Sequence, residues 1–425
     1  LRRGPARLSG LAKRTEVIVK PERRKGMKAQ RTLRIGLALL MGFAMLVAWP
    51  PAPTAQDKIV VGAGQPITGR FAFAGKHIND GLADCLALAN EKGGIAGKKI
   101  EYIFEDTGYE TSRAVASFKK LMAQHKPVIM YGESTGVGKA MSPEINNVYK
   151  VLYGSTSFSE ELADRKANPY IIVSGPTYSQ QFGILLKYIA ANPKKKGVAP
   201  KVAFFYSDTE FGRDPIPYAR EMAKKLGIEV VAEEITPVGA VDVTSQVLDL
   251  KRHQPDYCIF QGYVVPPIPD VIRAAKDYGL QTTFMGTFWA MDKMLIDKLG
   301  ADAEGYMGVN PYAYWWETDS PEIQVIRDFN KRNHPEITER PNSYMQGWFT
   351  GMIFVKAMQM CAEKNLPITG ENLKDMIPLI KDWNPNGLTG KVSFKDTNSA
   401  SVGKVYKADA KKGIFVPASD WIYTD

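Results

Sequence analysis

The residues with the most chemistry to offer lie between Pro127 and Ser157, PVIMYGESTGVGKAMSPEINNVYKVLYGSTS, where an apolar run twice ends in a small, hydroxyl-rich turn. The first turn, Gly132 to Gly136, spells G-x-S-x-G, which on a strand-to-helix elbow would expose the Ser134 hydroxyl as a nucleophile. The second runs from Gly154 through Ser155 and Thr156 to Ser157. Two chemistries fit. A hydrolase needs a carboxylic acid and then a His after Ser134, and an HGGG-like loop before it to hold the oxyanion. A binding protein would use the two turns as halves of one anion cradle. Backbone N–H groups and the hydroxyls of Ser134, Thr135, Ser155 and Thr156 would then sit at the carboxyl ends of parallel strands, beside a helix N-terminus that favours negative charge.

The rest of the chain weighs against catalysis. Only His253, in LKRHQPDY, and His334, just before Pro335, follow Ser134, and no HGG precedes it. With His77 and His125 these are all the histidines, and none has metal-ligand spacing such as H-E-x-x-H, so no metal is expected. GAGQPITG fails as a dinucleotide fingerprint because Ile67 takes the place of the third Gly, and no Walker A loop is present, so no cofactor is expected. Cys85, Cys258 and Cys361 lack C-x-x-C spacing and read as small core residues. One disulfide stays open, and the odd count leaves at least one thiol.

These groups are positioned by strands and helices that alternate from Lys58 with short links, the pattern of a parallel α/β sheet. IVVGA, IEYIF, VIMY and IIV read as strands of a first unit. KVAFFYSD, IEVVAEE, DYCIFQG, TTFMGT and GYMGVNPY read as strands of a second with the same wiring. Helices follow between them, one capped by Thr111 or Ser112 and one opened by Pro266, Pro267 and Pro269. Beyond Asn310 three helices, 321–333, 342–364 and 371–381, are expected to return to the first unit. The tail from Gly387, with GKVSF, VGKVYKA and GIFVP, is expected to close onto the second as strands. Phe71, Phe73, Tyr109, Tyr178, Phe211, Tyr263, Phe288 and Trp289 fall after strands, where ligand clefts are lined. Each reads equally well as packing at the lobe edge. Tyr312 to Trp316 fit packing at a crossing between units better than ligand contact.

Charge locates an export leader. Of 55 Lys/Arg and 45 Asp/Glu in 425 residues, 12 and 2 fall within residues 1–55, which leaves 43 of each in the remainder. The net +10 therefore does not describe a phosphate-binding surface, and no nucleic-acid partner is expected. Met27 opens a basic n-region with Lys28, Arg31 and Arg34, followed by the apolar run Ile35 to Trp49 and the small-residue site PPAPTA. That run is short for a bilayer span, so cleavage near Ala55 and a periplasmic product are expected. Residues 1–26 read as an over-extended frame, or as a basic cytosolic arm.

The order of several segments is specific. IVVGAGQPITG with Gly75, LANEKGGIAGKKIE, VIMYGEST, GSTSFSEEL, SDTEFG and AAKDYGLQTTFMG together resemble the periplasmic substrate-binding proteins of branched-chain amino acid ABC importers, over nearly all of the chain after Lys58. The resemblance implies a type I periplasmic binding fold: two Rossmann-like α/β lobes joined by a three-crossover hinge that closes on ligand. It implies lobe 1 as 57–175 with 310–386 and lobe 2 as 176–309 with 387–425. It further implies a monomeric, non-enzymatic component that delivers a small ligand to a membrane permease; relatives that act as sensory domains are the other class. Ser134, the Gly154 backbone and Thr156 match the positions that hold a ligand carboxylate and, in part, its ammonium. Phe211 and either Tyr263 or Val264 match cleft aromatics of the second lobe. One departure bears on the ligand. The amino acid binders carry an acid, partner of the α-ammonium, where FMGTFW here has Phe288 followed by Trp289; the nearest acid, Asp292, is a helical turn away. An apolar or aromatic acid or amide without an α-amino group is expected, stacked on Phe288, Trp289 and Tyr178. A branched-chain amino acid remains the alternative, with Glu133 or Asp208 swinging in as the missing partner.

Overall fold

The computed structural model describes residues 58–424, so the expected leader, its cleavage site and residues 1–26 lie outside the described residues. Five strands, β1 (Ile59–Gln65), β2 (Ile100–Asp106), β3 (Ile129–Gly132), β4 (Leu152–Ser155) and β5 (Ile171–Val173), form one sheet in the order β2-β1-β3-β4-β5. All its pairings are parallel. The inner strands β3 and β4 are buried along their whole length, as strands covered on both faces by helices must be, and the edge strand β5 is buried too because residues 398–400 pair along its outer side.

The second sheet holds β6 (Lys201–Ser207), β7 (Glu229–Thr236), β8 (Tyr257–Gln261), β9 (Thr283–Gly286), β10 (Met307–Asn310), β11 (Val402–Asp409) and β12 (Ile414–Pro417), in the order β12-β11-β10-β9-β8-β6-β7. β13 (Ile422–Tyr423) pairs with β11 off this path. β6 to β10 run parallel, whereas β11 returns antiparallel to β10. Strand order reverses between β1 and β3 in one sheet and between β6 and β8 in the other, and open α/β sheets place ligands outside those carboxyl ends.

The chain passes between the lobes after β5, after β10 and before β11. On the first lobe the helix Ala72–Glu91 lies against the helix Asn342–Glu363 at near backbone contact. A Cβ on Gly81 would stand 2.1 Å from the Tyr344 carbonyl oxygen, and one on Gly347 would stand 2.0 Å from that of Ile78. Beside this contact Arg340, 2% exposed, donates through Nε to Asn330 Oδ1 at 2.7 Å. Its guanidinium lies 3.4 Å from Asp84 and 3.7 Å from Asp80, and 4.4 Å above the Tyr344 ring.

Three expectations need correction. The tail does not join the second sheet from Gly387: Val173 N–H donates to Asn398 O and Ala400 N–H to Val173 O, while Leu388, Val392 and Phe394 pack in the first-lobe core. GKVSF alternates like a strand but makes only an isolated bridge, Val392 to Trp383. The helix Thr111–His125 is preceded by Glu110 at the cap position, without a side-chain cap from Thr111 or Ser112. The last of the three helices is shorter than expected, Gly370–Met376 followed by a 3-10 turn, Ile377–Leu379. Cys85, Cys258 and Cys361 are all free and buried. No helix among the described residues is long and apolar enough to cross a membrane.

Candidate functional site

The two hydroxyl-rich turns lie side by side because β3 and β4 are parallel neighbours, Gly132 opposite Ser155. Ser134 leaves β3 with φ 52° and ψ 151°, a backbone region that costs an L-residue energy and that clusters at ligand clamps. In that conformation it becomes the N-cap of the helix Thr135–Glu144, and its Oγ accepts from Val137 N–H at 3.2 Å. Thr156 Oγ1 accepts from Ser134 N–H at 3.1 Å. Each hydroxyl therefore spends a lone pair on a backbone amide and keeps its proton to donate. The helix start adds the amides of Thr135 and Gly136, which have no intrahelical acceptor. Thr135 Oγ1 and Ser157 Oγ bond each other at 2.7 Å, and Gln346 donates to the Thr156 carbonyl at 2.9 Å, which pins the second turn from the helix Asn342–Glu363.

Above this cradle stand six rings, Phe71, Tyr109, Tyr178, Phe211, Tyr263 and Trp289. Phe71 and Tyr109, from the loops after β1 and β2, stack at 4.7 Å; Phe211, from the short helix Glu210–Arg213 after β6, and Tyr263, from the loop after β8, stack at 4.9 Å. The two pairs meet edge to face, Phe71 to Tyr263 at 5.3 Å, and the hydroxyls of Tyr109 and Tyr263 bond across the cleft at 2.9 Å. Trp289 Nε1 donates to the Tyr178 hydroxyl at 3.0 Å. The space enclosed by the rings and by Ser134, Thr135, Thr156 and Ser157 is about 10 Å³, room for about one water. A larger ligand must part the ring pairs, and with them the lobes.

Of the residues singled out in the sequence, the structure brings together Ser134, Thr135, Thr156, Tyr178, Phe211, Tyr263 and Trp289. Three lie elsewhere. Phe288 sits in a 3-10 turn (Phe288–Ala290), 1% exposed, its N–H donating to Gln181 Oε1 and its ring packed on Phe158 and Tyr312. It lies behind Trp289 rather than in the cleft wall. Gly154 is central in β4, and a Cβ there would stand 2.6 Å from the Phe354 ring, facing the core. The Ser155 hydroxyl accepts from Ser157 N–H at 3.1 Å and so shapes its own turn. Of Tyr263 and Val264, only Tyr263 lines the space; Val264 is fully buried. Phe71, Tyr109 and Ser157 line it as well. Phe71 and Tyr109 are among the aromatics that follow strands, and Ser157 ends the second hydroxyl-rich turn, but their sequence positions alone do not separate a ligand contact from packing at the lobe edge.

Neither acid considered as a replacement lines the cleft. Asp208 is at the surface, 2.7 Å from Arg213. Glu133 is 1% exposed beneath Tyr109, where Oε2 accepts from Thr107 Oγ1 at 2.5 Å; burial pushes its carboxyl up to about 7. Asp292 caps Met294 N–H at 2.9 Å, and burial raises it to about 6. The histidines are also placed away from Ser134: His334 faces Asp84 at 3.0 Å, and His253 faces Asp249 at 3.1 Å. Among the described residues no group of His, Cys, Asp and Glu could hold a metal ion.

A family model described as periplasmic binding protein matches residues 58–413. A Leu/Ile/Val-binding protein homolog 7 from Brucella suis biovar 1 is 26% identical over 220 residues, 50% of this chain and 54% of the relative. The chain thus spans about half the length of that relative. A Leu/Ile/Val-binding protein of Citrobacter freundii is 25% identical over 66% of this chain and 74% of the relative. A branched-chain amino acid ABC transporter protein from Thermus thermophilus, solved with bound valine, superimposes with a TM-score of 0.77 at 25% identity, covering 87% of this chain and 97% of that one. A fatty acid ABC transporter substrate-binding protein from Thermomonospora curvata shares the fold, with a TM-score of 0.75 at 20% identity, covering 87% and 93%. Two parallel α/β lobes meeting at their strand ends, and a family match that spans nearly all of the described residues, make this chain a member of the periplasmic binding protein family.

Proposed function

We propose that this protein is the extracytoplasmic binding component of an ABC importer, capturing a small apolar or aromatic acid, or its amide, that lacks an α-amino group. Residues 58–175 with 310–400 form one lobe and 176–309 with 401–424 the other. The protein acts as an exported monomer that closes on its ligand and hands it to a membrane permease. The observation that carries the ligand class is the lining itself: six aromatic rings and four hydroxyl side chains, without a carboxylate or an ammonium. The hydroxyls of Ser134 and Thr156 are left as donors, which suits a carboxylate or carbonyl oxygen. The stacked pairs Phe71–Tyr109 and Phe211–Tyr263 suit a flat apolar body inserted between them. A ligand ammonium buried here without a partner would cost about 3 to 5 kcal/mol. Calorimetric titration with benzoate-type and short aliphatic acids beside leucine, isoleucine and valine tests the reading; tighter binding of leucine counts against it.

A branched-chain amino acid is the second reading. It is favoured by the ligands named for the Citrobacter and Thermus relatives and by Glu133, the buried acid that directly precedes Ser134 in the chain. Glu133→Gln separates the two: it abolishes leucine binding if Glu133 pairs with an ammonium and leaves an acid ligand's affinity within a few-fold.

A further inference from the structure

Beside the ring-lined space a second, polar seam crosses the cleft. Lys139, on the first-lobe helix Thr135–Glu144, places Nζ 3.2 Å from Glu210 and 3.4 Å from Asp214, both in the second-lobe segment that follows β6, and 3.1 Å from Glu161 on its own lobe. Glu161 and Glu210 are two-thirds exposed, so water screens their share. Asp214 is different. Its side chain is 4% exposed, and its carboxylate also accepts from Ser159 Oγ at 2.6 Å and from Glu160 N–H at 3.2 Å. All three groups that satisfy this buried carboxylate belong to the opposite lobe. None of Lys139, Ser159 or Asp214 lines the ligand space.

We infer that Lys139, Ser159 and Asp214 form an interlobe clasp that stabilises the closed form without ligand, and so sets affinity from outside the binding cavity. A buried carboxylate is held only while its donors are in place, so the clasp forms and breaks as a unit with lobe closure. Removing either charged partner shifts the balance toward the open form, and a second removal adds little because the first has already dissolved the contact. The inference rests on the lobes opening and closing, not on which ligand they close on.

The test needs no ligand. Protein stripped by unfolding and refolding is spin-labelled at two exposed positions on opposite lobes, through Lys166→Cys and Glu221→Cys; the three native cysteines are buried. Pulsed dipolar distances then give the ratio of closed to open forms. Expected is a measurable closed population in the parent that falls at least threefold in Asp214→Asn and in Lys139→Met, with the double variant close to either single one. Ser159→Ala, which keeps both charges, should give an intermediate fall and serves if a charge variant folds poorly. A fully open parent, or closed fractions unchanged in folded Lys139→Met and Ser159→Ala, would overturn the inference.

Discussion

Replacing Glu133 by Gln should stabilise the protein at alkaline pH and leave it almost unchanged in acid. Burial lifts this carboxyl from 4.5 to about 7. Between those values the unfolded chain has released the proton while the folded chain still holds it. Folded protein then binds more protons than unfolded, and stability falls as pH rises. The loss is complete above about 7, where ionised Glu133 is buried with Thr107 as its donor and Asp106 as an unfavourable neighbour. A rise from 4.5 to about 7 corresponds to about 3 kcal/mol. The amide of the Glu133→Gln variant would keep an oxygen to accept from Thr107 and carry no charge to desolvate, so the variant should gain up to that amount at pH 8 and little at pH 4. Denaturant unfolding of both proteins from pH 4 to 8 measures it. Glu234, raised to about 7, and Asp292, raised to about 6, titrate in both proteins, so the difference between the two curves isolates Glu133. A difference that stays flat with pH would refute a buried, proton-holding Glu133.

Ser134→Ala removes both a donor to the ligand and the cap on Val137, so binding should weaken by about 1.5 to 3 kcal/mol and stability fall by about 1 kcal/mol; calorimetry and thermal unfolding read the two separately. Arg340→Met leaves the 10%-exposed Asp84 carboxylate without its guanidinium and should destabilise by about 3 to 5 kcal/mol, measured by denaturant unfolding. N-terminal sequencing of exported protein should begin near Gln56, whereas an intact Met27 to Trp49 segment would contradict the leader.

Much of the site was legible because its logic is local. A strand running into G-E-S-T-G or G-S-T-S must turn at its carboxyl end, and such ends converge at a switch point, so Ser134 and Thr156 met as the spacing predicts. The aromatic half was harder to read. Phe288 and Trp289 are adjacent, but the 3-10 turn sends one ring into the core and the other to the cleft, a choice that no strand or helix period encodes. Phe71 and Tyr109 stack on each other and meet the other lobe through Tyr263, edge to face and by a hydroxyl bond, contacts between distant segments that local pattern does not specify. The tail misled for a similar reason: GKVSF alternates as a strand should, yet β5 takes residues 398–400 as its partner instead, a long-range pairing that local pattern does not specify.

The central claim is that the cleft takes an acid without an α-ammonium. Its most direct test is a calorimetric titration of refolded, ligand-stripped protein at pH 7 with benzoate and with leucine. Saturable binding of benzoate, with leucine weaker by roughly 100-fold or more, is the predicted result. Leucine binding more tightly than any acid tested, and losing that affinity in Glu133→Gln, would contradict it.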